Sequence, residues 1–216
     1  MKNLSSKKKI IYNQDYFERG AETGVSLYSN YRWLPELTLP MCHHIIQFLQ
    51  IKDGKVLDFG CAKGYVVKGL RMLGINAYGV DISNYAIKEA PREIAKYVKV
   101  IKTCVKIKGK FAYTIAKDVL EHVPYSQIIK QLKILAKCSK NILIIVPLGD
   151  GKKYFIKSME LDRTHIIRED LHWWKKTLEK SGFKIKKATY NLGPFKKNWQ
   201  FSKKGNGLIV AASKLI

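Results

Sequence analysis

The chain has 216 residues, 46% of them hydrophobic, and 40 basic against 17 acidic residues give a formal net charge of +23. That length supports one domain with a real core, and the apolar content excludes wholesale disorder. The longest unbroken apolar run, Ile142 to Val146, is too short to span a bilayer, and the four scattered cysteines (Cys42, Cys61, Cys104, Cys138) form no C-x-x-C pair.

This cysteine usage points to a reduced, cytoplasmic protein and argues against a zinc site. Met1 to Asn13 carries lysines and serines without an apolar h-region, so we read a tail there and no signal peptide. The charge invites a nucleic-acid partner. Against it, Lys outnumbers Arg 34 to 6, the lysines are spread along the chain, and arginine is the residue suited to bidentate phosphate and base contacts.

Tyr12 to Tyr31 is polar and aromatic, and Tyr28 to Trp33 puts three aromatics and Arg32 into six residues. Two readings stand side by side: a loop or short helix sealing the core edge, or a lid whose Arg32 or tyrosines meet a ligand. Leu34 to Leu49 has helical spacing of its apolar residues, with His43 and His44 read as surface or packing residues. We take residues 1–50 as tail, aromatic lid segment and helix, and 51–216 as the main domain.

The next stretch is Lys55-Val-Leu-Asp-Phe-Gly-Cys-Ala-Lys-Gly-Tyr-Val-Val67. A short apolar run ends in Asp58, and Gly60 and Gly64 flank Cys61 and Ala62 before an apolar, helix-compatible segment. This is strand, glycine turn, helix start, the layout of a nucleotide-type site at the carboxyl edge of a parallel sheet. It resembles motif I of the class I S-adenosylmethionine (SAM) dependent methyltransferases, acidic-x-Gly-x-Gly-x-Gly, with Ala62 at the middle glycine.

Asn76 to Val80 reads as a strand ending in Asp81, placed as an acid that accepts both ribose hydroxyls of a nucleoside, with Ser83 as cap of a helix over Asn84 to Lys96. In the family it resembles, the matching acid binds the SAM ribose. Lys99 to Ile107 alternates charged and apolar residues like an edge strand. Many family members carry an acid beyond this strand for the adenine amino group, where this chain has Thr103, Cys104 and Val105.

Phe111 to Val119 reads as a fourth strand running into Lys117-Asp-Val-Leu-Glu-His-Val-Pro124, which resembles motif IV of the family. Asp118, Glu121 and His122 have three readings: lining the cofactor cleft, ligating a divalent cation as an equivalent set does in quinone-pathway O-methyltransferases, or closing the strand by hydrogen bonds. We expect no metal, since two acids and one imidazole are a thin ligand set. A helix follows to Lys137, then a buried strand over Asn141 to Leu148.

Glu160 to His165 brings Asp162, Arg163 and His165 together before a helix over Glu169 to Lys180 that closes at Ser181-Gly182. Many methyltransferases of this fold carry a similar Thr-His pair, and histidine can take a proton from a hydroxyl near neutral pH. Lys184 to Leu192 and Leu208 to Ser213 are the last strands, joined by a connector of lysines and aromatics around Trp199 that reads as a substrate lid or a nucleic-acid contact.

The expected fold is α/β, a doubly wound, seven-stranded, mostly parallel sheet with a C-terminal antiparallel hairpin. The resemblance implies SAM as cofactor, held by Arg32, Asp58, Gly60, Cys61, Ala62, Gly64, Asp81, Ile82, Val105 and Lys117. Catalysis is expected at His165, Asp118 and His122. The favoured activity is O-methylation of a small-molecule or sugar hydroxyl. The rivals are a nucleic-acid methyltransferase and a SAM-binding partner subunit without turnover.

Overall fold

The computed structural model describes residues 12–102, 104–195 and 204–216. The Trp199 connector, most of the lysine-rich tail and Thr103 lie outside the described residues. Seven strands form one sheet: β1 (Val56–Phe59), β2 (Ala77–Asp81), β3 (Val98–Val100), β4 (Phe111–Lys117), β5 (Ser139–Pro147), β6 (Phe183–Thr189) and β7 (Asn206–Ser213). Their spatial order is β3-β2-β1-β4-β5-β7-β6. β1 to β5 run parallel, and β7 enters antiparallel between β5 and β6. The expected doubly wound sheet and closing hairpin are both present.

Each face of the sheet is covered by helices. On one side α3 (Pro35–Leu49) and α4 (Tyr65–Met72) bury Ile45, Leu49, Val67 and Leu70 against Val56, Ile115 and Ile145. On the other, α6 (Tyr125–Cys138) and α7 (Leu171–Lys180) bury Leu132, Leu135, Trp174 and Leu178 against Leu57, Ile142 and Ile144. Alternate residues of β5 therefore serve opposite faces, which is why Ile142 to Val146 is an unbroken apolar run. Two short N-terminal helices, α1 (Gln14–Glu18) and α2 (Gly20–Thr23), and α5 (Asn84–Lys88) lie at the carboxyl edge. No helix among the described residues is long and apolar enough to cross a membrane.

Two elements differ from the sequence expectation. The helix predicted over Asn84 to Lys96 stops at Lys88 and resumes as a 3₁₀ turn over Arg92–Tyr97. Pro91 stands between, and a proline disfavours helical backbone in the residue before it. The predicted edge strand over Lys99 to Ile107 is β3 alone. Cys104 takes a left-handed φ of 56°, and its amide donates to Gln131 Oε1 at 2.9 Å, so the chain leaves the sheet after Val100. Its alternation reflects lysines outward and Ile107 buried inward, without a partner strand.

Candidate active site

The sheet order reverses between β1 and β4, and open α/β sheets bind ligands in the crevice outside the strand ends at that point. A cavity of about 430 Å³ opens there, a size typical of small-molecule sites. Its lining includes Phe59, Gly60, Ala62, Val80, Asp81, Ile82 and Ile101 on one side. Tyr12, Tyr16, Tyr28, Asp118, Val119 and His122 close the other.

The glycine loop is shaped by close approach. Gly60 sits at φ 79°, and a Cβ there would stand 2.3 Å from Val119 Cγ2. Ala62, in the middle-glycine position, also takes a left-handed φ of 48°. Its amide donates to Asp81 Oδ2 at 2.7 Å, while Ser83 N donates to Oδ1 at 2.8 Å. The helix cap belongs to Ser83, whose Oγ accepts from Ala86 N. Asp81 is thereby free of the capping role and faces the cavity with the loop fastened to it. Burial raises its pKa, against the amide hydrogen bonds from Ser83 and Ala62 that favour the carboxylate.

Asp58 is buried in β1, and burial, reinforced by Asp81 and opposed by Lys117, pushes its pKa up to about 7. Lys117 pairs with Asp118 at 2.6 Å, and Asp118 sits at φ 53°, the point where the chain leaves β4. Cys61 and Gly64 face the other way. Cys61 packs on Gly79, where an added Cβ would meet its Sγ at 2.7 Å, and burial raises its thiol pKa. A Cβ at Gly64 would meet Ile94 and Val98. Both serve packing beneath the loop. Arg32 is exposed, Val105 is 46% exposed, and neither lines the cavity.

The other half of the cavity carries a chain of hydrogen bonds. Thr164 Oγ1 donates to Asp162 Oδ1 and lies 2.7 Å from His122 Nδ1. The hydroxyl proton is committed to the carboxylate, so the imidazole must be the donor in that contact. His122 thus carries its proton on Nδ1 and keeps Nε2 as acceptor. Tyr16 OH donates to Asp162 Oδ2 at 3.1 Å, completing the set. Burial lowers the pKa of His122, and His165 lowers it further, so the ring is neutral near pH 7.

His165 stands behind this ring, 4.8 Å between centroids, with its Nδ1 donating to Met159 O at 2.8 Å. It is buried and does not line the cavity. Glu121, His122 and His165 each offer one ligand atom within 4.8 Å of the others, whereas Asp118 is not in that cluster.

The aromatic segment is docked over the loop. Tyr16, Phe17 and Ala86 form a small core with Tyr12, Tyr28, Tyr31 and Tyr85. Lys63, buried within the glycine loop, donates to Glu18 Oε1 and to Tyr31 O. Ser83 Oγ donates to Tyr12 O at 2.6 Å. The sequence had signalled this segment by its aromatics. It gave no sign of Tyr16 and Thr164 as partners of Asp162, nor of Gln131, whose buried amide lies beside Ile101 at the far end of the cavity.

A family model described as a methyltransferase domain matches residues 35–188. The chain belongs to that methyltransferase family. Its cofactor is S-adenosylmethionine, and the enzyme is a SAM-dependent methyltransferase. Magnesium protoporphyrin IX methyltransferase (ChlM) from Synechocystis, solved with bound SAH, superposes with a TM-score of 0.65 at 17% identity, covering 94% of this chain and 96% of that one. A SAM-dependent methyltransferase from Archaeoglobus fulgidus gives 0.64 at 19% identity, covering 83% and 95%. The mitomycin 7-O-methyltransferase MmcR gives 0.59 at 14% identity; 82% of this methyltransferase is covered, and it spans 54% of MmcR. No curated protein matches the sequence. The cavity fits the cofactor: a glycine turn at the strand switch, an acid at the second strand end, and apolar walls from Val80, Ile82, Ile101 and Val119.

Proposed function

We propose that this methyltransferase transfers a methyl group to a hydroxyl of a small molecule or sugar. The observation that carries the reading is His122, a neutral imidazole on the cavity wall whose tautomer is fixed through Thr164 and Asp162. Its Nε2 takes the acceptor's proton as the oxygen attacks, and Thr164 with Asp162 stabilises the imidazolium that results. His165 backs the ring and holds it in place. Asp118 lies on the same wall and orients the acceptor. SAM, when bound, supplies a sulfonium-activated methyl group, so the protein's work is mainly alignment and proton removal.

In this reading Asp81 holds the ribose, and the backbone of Gly60 to Ala62 runs under the methionine portion. Asp58 and Lys117 set the charge beneath it. Ile82 covers the adenine, and Gln131 meets its edge where other family members carry an acid. Arg32 and Val105 take no direct part. Of the described residues, 12–33 form the acceptor-side lid, α3 packs on the sheet, and those from 51 onward form the SAM domain. Two features favour a small acceptor over RNA. The cavity is lined by Tyr12, Tyr16 and Tyr28 of the docked aromatic segment, and a row of exposed lysines stands at the opposite edge of the sheet.

The test is a screen of sugar nucleotides, phenols and RNA with methyl-labelled SAM. Label in a hydroxyl compound supports the reading. Label confined to RNA overturns it, and SAM binding without transfer to any acceptor would favour a partner subunit.

A further inference from the structure

The edge of the sheet opposite the cavity is a separate surface. Five adjacent strands each place one exposed lysine there: Lys55 before β1, Lys110 before β4, Lys140 opening β5, Lys214 after β7 and Lys184 opening β6. The registers Phe111↔Ser139, Asn141↔Ala212 and Lys184↔Ala212, with Ala112 N donating to Lys55 O, put them within about two residues of one level. At about 4.8 Å per strand the row spans roughly 19 Å. None of the ion pairs among the described residues engages these lysines. Asp53 and Glu179 are the acids the topology puts nearby, whereas Asp81, Asp118, Glu121 and Asp162 gather at the carboxyl edge. Two of the lysines have local uses: Lys110 Nζ donates to Lys137 O at the C-terminus of α6, and Lys55 Nζ stands 5.8 Å from the centre of the Tyr78 ring.

Apolar side chains flank the row on both faces of the sheet. Met72 and Leu73 end α4 with 60% and 38% exposure. Leu215 and Ile216 follow β7 with 49% and 48%. We propose that this edge is a docking surface for an anionic lipid bilayer, the lysines meeting the headgroups and the two apolar pairs entering the interface. Lysine is a flexible point charge without a fixed fork, suited to a fluid headgroup layer. Among the described residues the exposed aromatics that could stack bases, Tyr125, Phe155 and Tyr190, stand at the carboxyl edge, and Arg71 near the lysine row is already stacked on Tyr97 and bonded to Ala77 O. Docked this way, the enzyme holds its cavity away from the bilayer, open to an acceptor in solution.

The experiment is co-sedimentation of the full chain with phosphatidylcholine vesicles with and without phosphatidylglycerol, at low and high salt. Binding is expected only with phosphatidylglycerol, falling steeply as salt rises. A variant carrying K55Q, K110Q, K140Q, K184Q and K214Q should partition roughly 3,000-fold more weakly, since each lysine near such a surface is worth roughly fivefold. A control with equal charge loss, K88Q, K99Q, K102Q, K152Q and K153Q, should lose far less. M72S with L215S should weaken binding without altering its salt dependence. SAM binding of each variant, read by calorimetry, establishes that it is folded. No binding to anionic vesicles, equal loss in both lysine variants, or retention on RNA lost with the edge variant in place of vesicle binding would each overturn the proposal.

Discussion

The two halves of the cavity are assembled in opposite ways. The cofactor half comes mainly from one stretch, Phe59 to Ile82, in which β1, the glycine loop, α4 and β2 follow one another, with Ile101 and Gln131 added from outside it. Its chemistry is backbone shape: glycine where Val119 crowds in, and a carboxylate that fastens the loop by an amide hydrogen bond. The acceptor half is drawn from three distant segments. Tyr16 meets Asp162 across 146 residues, and Thr164 meets His122 across 42. Its chemistry is in side chains, ordered one by the next. In the proposed reading, a local motif fixes what the chain binds, and long-range contacts fix what it does with it.

The largest effect should separate the halves outright. Gly60→Val adds a branched side chain where even a Cβ would stand 2.3 Å from Val119, at a φ that β-branched residues avoid. SAM affinity measured by calorimetry should fall by more than about 100-fold, beyond the loss of one hydrogen bond. Val119→Ala in the Gly60→Ala background should restore part of it. Unchanged SAM binding in Gly60→Val would mean that the loop is not the cofactor's seat.

On the acceptor side, His122→Asn should lower kcat by about 10²–10⁴-fold, the usual range for losing a general base. SAM affinity should stay within about twofold, since the cofactor half is untouched. A parallel fall in SAM binding would dissolve the distinction between the halves. His165→Asn tests the neighbour: it should lower kcat less, and raise the pKa of His122 by removing one of the two influences that depress it. The acid limb of the kcat profile should then move to higher pH, whereas a purely structural role for His165 would leave it in place.

Asp162→Asn sharpens the comparison at intermediate size. An amide keeps the volume but withdraws the charge that stabilises the imidazolium through Thr164. A fall in kcat of about tenfold is expected, about one charge-assisted hydrogen bond, with KM for the acceptor little changed. A change confined to KM would place Asp162 in acceptor binding instead.

The gentlest test is pH. The carboxyl of Asp58 is raised to about 7, so the folded, cofactor-free protein holds its proton where the unfolded chain, with its ordinary carboxylate pKa, has lost it. Between those values the native state binds more protons, so stability without cofactor should decline as pH rises toward 7. A cation such as the SAM ammonium favours ionised Asp58. SAM affinity should therefore strengthen as pH rises through about 7, by at most tenfold per unit, and Asp58→Asn should flatten that slope.

How much was legible in the sequence follows from the same contrast. Glycine spacing, an acid at a strand end and the unbroken run Ile142 to Val146 are local signals; the fold follows from them, and the glycine loop and Asp81 do line the cavity. The row Asp118 to Val123 signalled the right turn but not the partner of His122. Thr164 and Tyr16 are ordinary residues until the chain returns to put Thr164 beside His122 and Tyr16 beside Asp162. His165 drew attention as a histidine, yet its ring is turned to Met159 O and lies behind the wall. Gln131 escaped notice because its seat is set by the Cys104 amide, 27 residues away, which nothing near it in sequence records.

Lys63 joins the halves. It lies within the cofactor loop, yet its ammonium grips Glu18 and the Tyr31 carbonyl of the aromatic lid, at 7% exposure. Glu18 is partly exposed, so removing one partner costs about 1–3 kcal/mol, and the loop and the aromatic segment share their order. A ligand that stiffens one lowers the entropy still to be lost on stiffening the other. The two binding equilibria are then thermodynamically linked, and the linkage is reciprocal: cofactor should tighten acceptor by the same factor that acceptor tightens cofactor.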